Sequence, residues 1–172
     1  SATVKMVEAT GRQAIAVKCD VASEASVAAM AKEVGNKFSS IDIVVNCAGI
    51  FPQKNFSEMT FADWRTVLSI NLDGTFLVTA AFVPGMRARK WGRVVNMASS
   101  TLGSVVTGFA HYVASKGGIV GFTRALATDL ARASGGHEGQ MTNGEGGGGR
   151  KWWWVGGLAV LAVGLSLGLK PK

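Results

Sequence analysis

The sequence is short of the residues that build metal sites and disulfide frameworks. It has two cysteines and two histidines among 172 residues, and their spacing matches no metal-binding pattern. Cys19 and Cys47 each end an apolar, strand-like run, which favours buried thiols over a disulfide. The sequence therefore predicts neither a bound metal nor a disulfide.

The N-terminus has no signal peptide and no initiating methionine. The chain starts at Ser1, in a segment that resembles the middle of a helix. We therefore expect the chain to be a fragment, and we expect it to be cytoplasmic. With 48% hydrophobic residues, it is long enough for one domain with a sizeable core.

Acidic residues are fewer than basic ones, 11 against 18, which gives a net charge of +7. The basic residues are scattered, apart from four near a predicted helix C-terminus, where cations suit the helix dipole. These four are Arg87, Arg89, Lys90 and Arg93. A nucleic-acid-binding domain concentrates its charge on one face. The pattern therefore argues against nucleic acid as a partner.

Strands and helices alternate over residues 1–132. Apolar runs predict strands at 14–19, 41–45 and 93–97, and the Ile and Val of 41–45 indicate burial on both faces. Helical spacing predicts four helices. The first ends near residue 10, and the other three span 23–38, 60–90 and 110–132. This order predicts an α/β fold with a doubly wound parallel sheet.

Polar side chains follow the last predicted strand. Ser99 comes just after it, where open α/β sheets place their ligands, and Tyr112 and Lys116 lie one turn apart on the next helix. A lysine ammonium stabilises a nearby phenolate, so this tyrosine could exchange a proton with an alcohol or carbonyl. The serine hydroxyl could hydrogen-bond the same oxygen. With a hydride carrier alongside, these residues would form an alcohol–ketone site.

Two further features lie near this site in the predicted fold. The small residues Asn46-Cys47-Ala48-Gly49 end the second strand and would let a ligand approach the backbone, although an ordinary tight turn uses the same residues. Asn71 interrupts the apolar stripe of its helix. A buried amide needs a hydrogen-bond partner, either in the core or in a site.

Together these motifs resemble the short-chain dehydrogenase/reductase family over about residues 1–132. They are Cys19-Asp20-Val21, Asn46-Cys47-Ala48-Gly49, Ile70-Asn71-Leu72, and Ser99 with Tyr112-Val-Ala-Ser-Lys116. The resemblance implies a Rossmann-like sheet, NAD or NADP as cofactor, a small alcohol or carbonyl substrate, and a homo-oligomer. Phe122-Thr-Arg-Ala-Leu-Ala and Phe82-Val-Pro-Gly-Met are similar to segments of aromatic-alcohol and pyridoxal dehydrogenases and of 3-oxoacyl carrier-protein reductases.

The resemblance also implies a role for each matching residue. Tyr112 would be the general acid/base, and Lys116 would assist it and bind the nicotinamide ribose. Ser99 would polarise the substrate oxygen, with Ser100 as the second candidate. Asn71 would help to hold a proton-relay water. Asp20 and Val21 would contact the adenine, and Tyr112 would contact the cofactor along with Lys116. The cofactor cleft would be lined by Asn46, Ala48 and Gly49.

Parts of the family pattern do not match. The Gly-rich pyrophosphate turn and the residue that selects NAD or NADP belong to segments that would precede Ser1, and the glycines of 144–149 follow the sheet and are no substitute. We therefore expect a fold that is incomplete at both ends. The alternative to an active oxidoreductase is a catalytically inactive remnant of this fold.

The sequence changes character near Ala133. Residues 133–151 resemble a Gly-rich linker, and 152–172 form an apolar tail with basic flanks. Residues 152–169 have three interpretations: a membrane span, which would make the chain membrane-associated, a hydrophobic hairpin on the sheet, or an aberrant end such as a frameshift. The glycine and tryptophan runs favour the aberrant end.

Overall fold

The computed structural model describes residues 1–132 and 160–161, which contain five α-helices and three strands. In chain order these are α1 (Ala2–Glu8), α2 (Glu24–Lys37), β1 (Ile43–Asn46), α3 (Phe61–Leu68), α4 (Gly74–Ala88), β2 (Arg93–Met97), α5 (Ala110–Arg132) and β3 (Val160–Leu161). A π-helical turn, Ser69–Asp73, joins α3 to α4. Short 3-10 turns lie at Phe56–Glu58 and Ser100–Gly103.

The sheet has the order β1-β2-β3. β1 and β2 pair in parallel, with Asn46 opposite Asn96. β3 pairs antiparallel with β2, so that Met97 lies opposite Val160. α4 packs against β1, and α5 packs against β2. Their shared core is built around Val44, Val83, Met86, Val94 and Leu130.

The helix boundaries follow their capping residues. Ser23 caps α2 by accepting a hydrogen bond from the Ser26 backbone N–H, as predicted. Thr60 and Asp63 form a reciprocal capping box at the start of α3. Gly11 takes a φ of +77° just after α1, which only glycine adopts readily. Pro84 lies inside α4 without ending it.

Three sequence predictions about the sheet region are wrong. Residues 14–19 form no strand, because no described segment pairs with them and a strand exists only through a shared ladder. β1 is buried on one face only, since Val44 packs on α4 whereas Val45 is 54% exposed. Cys47 is exposed instead of buried, because it follows the strand in an open turn. It and Cys19 are free thiols.

The predicted linker and most of the predicted tail lie outside the described residues. Val160–Leu161 form a strand, so the structure does not have a membrane helix at these two positions. The segment Phe61–Ala88 is long and apolar enough to cross a membrane by length and composition, with a mean hydropathy of 1.5. It packs against α2, α5 and β1, as a core helix of a domain does.

Candidate active site

Tyr112 and Lys116 lie on one face of α5, as their spacing predicts. The Lys116 ammonium is 5.8 Å from the centroid of the Tyr112 ring and donates a hydrogen bond to the Met97 carbonyl at 2.8 Å. Lys116 is only 7% exposed. Burial lowers the pKa of its ammonium below the ordinary 10.5, and the electrostatic interaction with the neighbouring Cys47 sulfur acts in the opposite direction. The site therefore holds a desolvated cation beside the phenol.

Asn71 joins the turn after β1 to α5. It sits in the π-helical turn and is fully buried. Its Oδ1 accepts the Ile50 backbone N–H at 2.8 Å, and its Nδ2 donates to the Ile50 carbonyl at 2.9 Å and to Ser115 Oγ at 3.0 Å. The amide thus has the partners that a buried polar group requires.

Gly49 brings the exposed turn after β1 close to both of these residues. A Cβ atom at Gly49 would lie 3.2 Å from Asn71 Oδ1 and 3.9 Å from Lys116 Nζ. The two polar atoms therefore border one narrow space, in which a Cβ atom would crowd Asn71 Oδ1. Ala48 is also exposed on this turn.

Asn46 does not face this space. It is 9% exposed, and its Nδ2 donates to Thr79 Oγ1 at 3.0 Å and to Asn96 Oδ1 at 2.8 Å. Asn96 in turn donates to Thr123 Oγ1 at 2.9 Å. The Asn46 side-chain amide is therefore used inside the fold, and the place in the cofactor cleft that the resemblance implies for this residue stays a prediction. The amide fixes the carboxyl ends of β1 and β2 to the helices.

Ser99 lies two residues beyond Met97, at the same sheet edge as Lys116. Its Oγ accepts hydrogen bonds from the Thr101 backbone N–H at 3.2 Å and from Thr101 Oγ1 at 2.9 Å. The hydroxyl hydrogen of Ser99 can still donate. In the described structure Ser99 bonds to Thr101 and not to Tyr112.

Asp20 and Val21 lie apart from the tyrosine–lysine pair. Asp20 is exposed, and its Oδ1 accepts the Ala22 backbone N–H at 3.0 Å. Val21 packs on the start of α4, where a Cβ at Gly74 would come within 2.8 Å of Val21 Cγ2. The adenine contact that the resemblance implies for these two residues stays a prediction.

Two phenylalanines border Tyr112. The rings of Phe51 and Phe109 each lie 6.2 Å from the Tyr112 ring in edge-to-face geometry. Phe51 remains 70% exposed. An exposed aromatic ring next to the phenol gives the site an apolar rim.

Sequence reasoning missed several residues that position the site. Ser115 lies within the tyrosine–lysine motif, so its place on the helix was visible. Asn96 ends its strand as Asn46 does, which was also a usable signal. The carbonyl of Met97 and the backbone of Ile50 cannot be recognised from residue type.

No set of three His, Cys, Asp or Glu side chains in the described ranges could hold a metal ion.

Residues 1–134 match the model of the family described as short chain dehydrogenase. The chain belongs to the short-chain dehydrogenase family. It is 40% identical over 121 residues to the 3-oxoacyl-(acyl-carrier-protein) reductase FabG of Aquifex aeolicus, which covers 70% of this chain and 49% of that protein. It is 40% identical over 133 residues to the (2S)-((R)-hydroxy(phenyl)methyl)succinyl-CoA dehydrogenase subunit BbsD of Thauera aromatica, covering 77% and 53%.

A solved structure of a metagenomic short-chain oxidoreductase in complex with NADP is also similar. It is 30% identical with a TM-score of 0.72, over 77% of this chain and 61% of that one. This likeness confirms the predicted Rossmann-like fold. The short-chain dehydrogenase chain described here spans about half the length of these two curated relatives.

Proposed function

We propose that this chain carries the catalytic residues of an NAD(P)-dependent oxidoreductase that interconverts an alcohol and a carbonyl. The observation that supports this most directly is the buried Lys116 ammonium beside Tyr112, next to the open turn at Gly49. A desolvated cation interacts more strongly with a phenolate than a solvated one does. The arrangement therefore suits proton transfer at the Tyr112 hydroxyl.

In this proposal Tyr112 exchanges a proton with the substrate oxygen. Lys116 stabilises the phenolate when the proton leaves. Ser99 donates its hydroxyl hydrogen in a hydrogen bond to the same substrate oxygen and stabilises the charge that develops there. Asn71 Oδ1 faces the space that Lys116 borders, and its second lone pair can help to hold a water that relays the proton.

The residues present fit a dinucleotide on this side of the sheet. A Cβ at Gly49 would fill the space beside Lys116, so the turn with Ala48 and Gly49 offers close backbone approach. Asp20 and Val21 would contact the adenine end. The Lys116 ammonium, which has three donors, would contact the nicotinamide ribose. A bound nicotinamide dinucleotide would supply or accept the hydride.

The test has two steps on the purified 172-residue chain. Fluorescence titration with NADH and NADPH should show micromolar binding. A panel of alcohols and ketones should then show turnover that Tyr112→Phe lowers by about a hundredfold or more, the usual contribution of a general acid/base. Tyr112→Phe should bind the dinucleotide as the parent chain does.

Absence of dinucleotide binding would favour the rival proposal. If a family member of full length binds normally and this chain does not, the chain carries the residues of the site without performing the reaction. Turnover that is equal in the parent chain and Tyr112→Phe would reject the assignment of Tyr112.

The aromatic rim gives a finer proposal about the substrate. Phe51 and Phe109 present ring edges and faces around Tyr112, and Phe51 is open to solvent. Such rings favour a substrate with an apolar or aromatic group next to its alcohol or carbonyl carbon. The names of the two curated relatives, one a 3-oxoacyl reductase and the other acting on a phenyl-bearing thioester, agree with this class.

We also propose that the chain pairs through the helices that carry Asn71 and Tyr112. Phe76 on α4 is 51% exposed and meets Phe122 on α5 at 6.0 Å, so an apolar surface spans both helices. Light scattering should show a dimer or tetramer, and Phe76→Asp should shift it towards monomer. An unchanged mass would reject this surface as the pairing interface.

The two free thiols, Cys19 and Cys47, support a cytoplasmic location.

A further inference from the structure

His111 directly precedes Tyr112 and is fully buried. Its ring Nδ1 accepts the backbone N–H of Tyr112 at 2.9 Å. Its other ring nitrogen, Nε2, is buried and has no hydrogen-bond partner in the described structure. A buried polar atom without a partner lowers stability, and an apolar side chain of similar size would avoid that loss. The presence of a histidine here therefore needs a reason.

The start of α5 supplies that reason. The first N–H groups of a helix have no acceptor within the helix, and a polar side chain at the preceding residue usually provides one. The residue before α5 is Phe109, which has no such group. His111 Nδ1 takes over this role for the N–H of Tyr112 itself.

The carbonyl of Tyr112 is held as well. It accepts a hydrogen bond from Ser115 Oγ at 2.7 Å, and Ser115 Oγ accepts one from Asn71 Nδ2 at 3.0 Å. Side chains therefore bind the Tyr112 backbone on both sides of its Cα. Asn71 connects this arrangement to the turn after β1 through Ile50.

The bond to Tyr112 also determines the state of the imidazole. Nδ1 can accept only if it carries a lone pair, so the neutral ring must bear its hydrogen on Nε2. The opposite tautomer would place two N–H groups against each other. A charged imidazolium also carries a hydrogen on Nδ1, so it could not accept the Tyr112 N–H.

We propose that His111 is a positioning residue for Tyr112: its neutral, Nε2-protonated imidazole fixes the tyrosine backbone and thereby holds the phenol over Lys116. This inference rests on the proposed function of Tyr112. His111 touches no reacting atom. It acts through the backbone of the residue that does.

Two amide variants separate the two ring nitrogens. In His111→Asn, Oδ1 can replace Nδ1 as the acceptor for the Tyr112 N–H. In His111→Gln, the amide group extends to the position of Nε2 and leaves the δ position without an acceptor. His111→Leu keeps an apolar volume and offers no acceptor at all. Circular dichroism checks that each variant is folded.

The chain has a single tyrosine, so its phenol can be followed without assignment by a ¹³C label on the ring carbon that bears oxygen. In His111→Gln and His111→Leu, we expect the NMR signal of this carbon at neutral pH to move away from its position in the parent chain, because the phenol is less well held near the ammonium. In His111→Asn it should stay where it is in the parent chain. Equal chemical shifts of this carbon in all four chains would overturn the proposal.

A measurement on the parent chain guards against variants that do not fold. The ¹⁵N shifts of His111 should show a hydrogen on Nε2 and a lone pair on Nδ1. A hydrogen on Nδ1 would overturn the proposal without any substitution.

Turnover separates this inference from the proposed function. Where the parent chain is active, His111→Gln should lower kcat roughly tenfold or more with the dinucleotide KM unchanged, since small displacements of a reacting group have large effects on rate. His111→Asn should retain kcat. If the parent chain turns over no substrate, the proposed function fails, and the chemical shift of the tyrosine ring carbon still decides whether His111 positions Tyr112.

Discussion

The side chains of Asn46 and Asn96 meet across the sheet, with Nδ2 of Asn46 donating to Oδ1 of Asn96 at 2.8 Å. The two residues are direct partners in the ladder of β1 and β2. Thr79 on α4 and Thr123 on α5 extend the same hydrogen-bonded layer. The loops that carry Gly49 and Ser99 leave the sheet just beyond this layer. The hydrogen bonds of this layer therefore hold the strand ends from which the two loops of the candidate site start.

Asn46→Leu should destabilise the fold by about 2 kcal/mol, because it leaves buried polar groups of Asn96 and Thr79 without a partner. Urea unfolding of the purified chain measures this free energy. The control is Asn55→Leu, at an exposed position whose side chain makes no capping hydrogen bond. Equal unfolding free energies for the two variants would show that the layer contributes nothing.

Lys116→Met should change how stability depends on pH. The pKa of Lys116 is lowered by burial, so the unfolded chain holds this proton more strongly than the folded chain does. The loss of stability from burying the ammonium is therefore complete below the folded pKa and disappears as the pH rises through the folded pKa to the ordinary 10.5. The parent chain should gain stability relative to Lys116→Met between pH 7 and about pH 10.5.

Urea unfolding of both chains across this range provides the measurement. The exposed Lys37→Met supplies the baseline for removing a lysine charge. A difference between parent and Lys116→Met that stays constant with pH would mean that the ammonium is not desolvated.

Thr60→Ala should lower the unfolding free energy by about 1 kcal/mol at neutral pH, the usual effect of losing an N-cap. The hydrogen bonds from the Thr60 side chain and backbone hold the pKa of Asp63 well below its ordinary 3.8. The stability that comes from this lowered pKa is present above pH 3.8 and is lost as the pH falls below it. The gap between the parent chain and Thr60→Ala should therefore narrow in acid. Thermal melts from pH 6 to pH 3 measure it, and a gap that widens in acid would contradict the capping box.

Phe51→Ala should reduce kcat/KM for aromatic ketones by roughly tenfold while leaving short aliphatic ketones less affected, because the ring packs beside Tyr112. Phe56→Ala is the matched control, since Phe56 is also exposed, at 79%, and no ring contact joins it to Tyr112. Steady-state kinetics on paired substrates give the comparison. A uniform loss for both substrate types would place Phe51 outside the substrate region.

The sequence predicted those parts of the fold that depend on local chemistry. Capping residues such as Ser23 and Thr60 act within one turn, so the starts of α2 and α3 were visible from residue types. The spacing of Tyr112 and Lys116 likewise fixes a shared helix face. Asn71 was correctly expected to need a partner.

Features that depend on distant segments could not be predicted in this way. Whether residues 14–19 form a strand depends on a pairing partner elsewhere in the chain, and no described segment provides one. The exposure of Val45 depends on which face the helices cover. The acceptor for Lys116 is a backbone carbonyl, at Met97, and every residue type has one.

The π-helical turn at Ser69–Asp73 has a consequence for the geometry of the site. Each helical residue advances about 100° around the axis, and a π turn contains about one residue more than an α turn. Deleting one residue from this turn would leave an uninterrupted helix and would rotate α4 by about 100° relative to α3. Asn71 would then turn away from Ile50, or Thr79 would leave its hydrogen bond with Asn46 in the layer at the sheet. A single extra residue thus allows one helix to contact both the candidate site and the sheet.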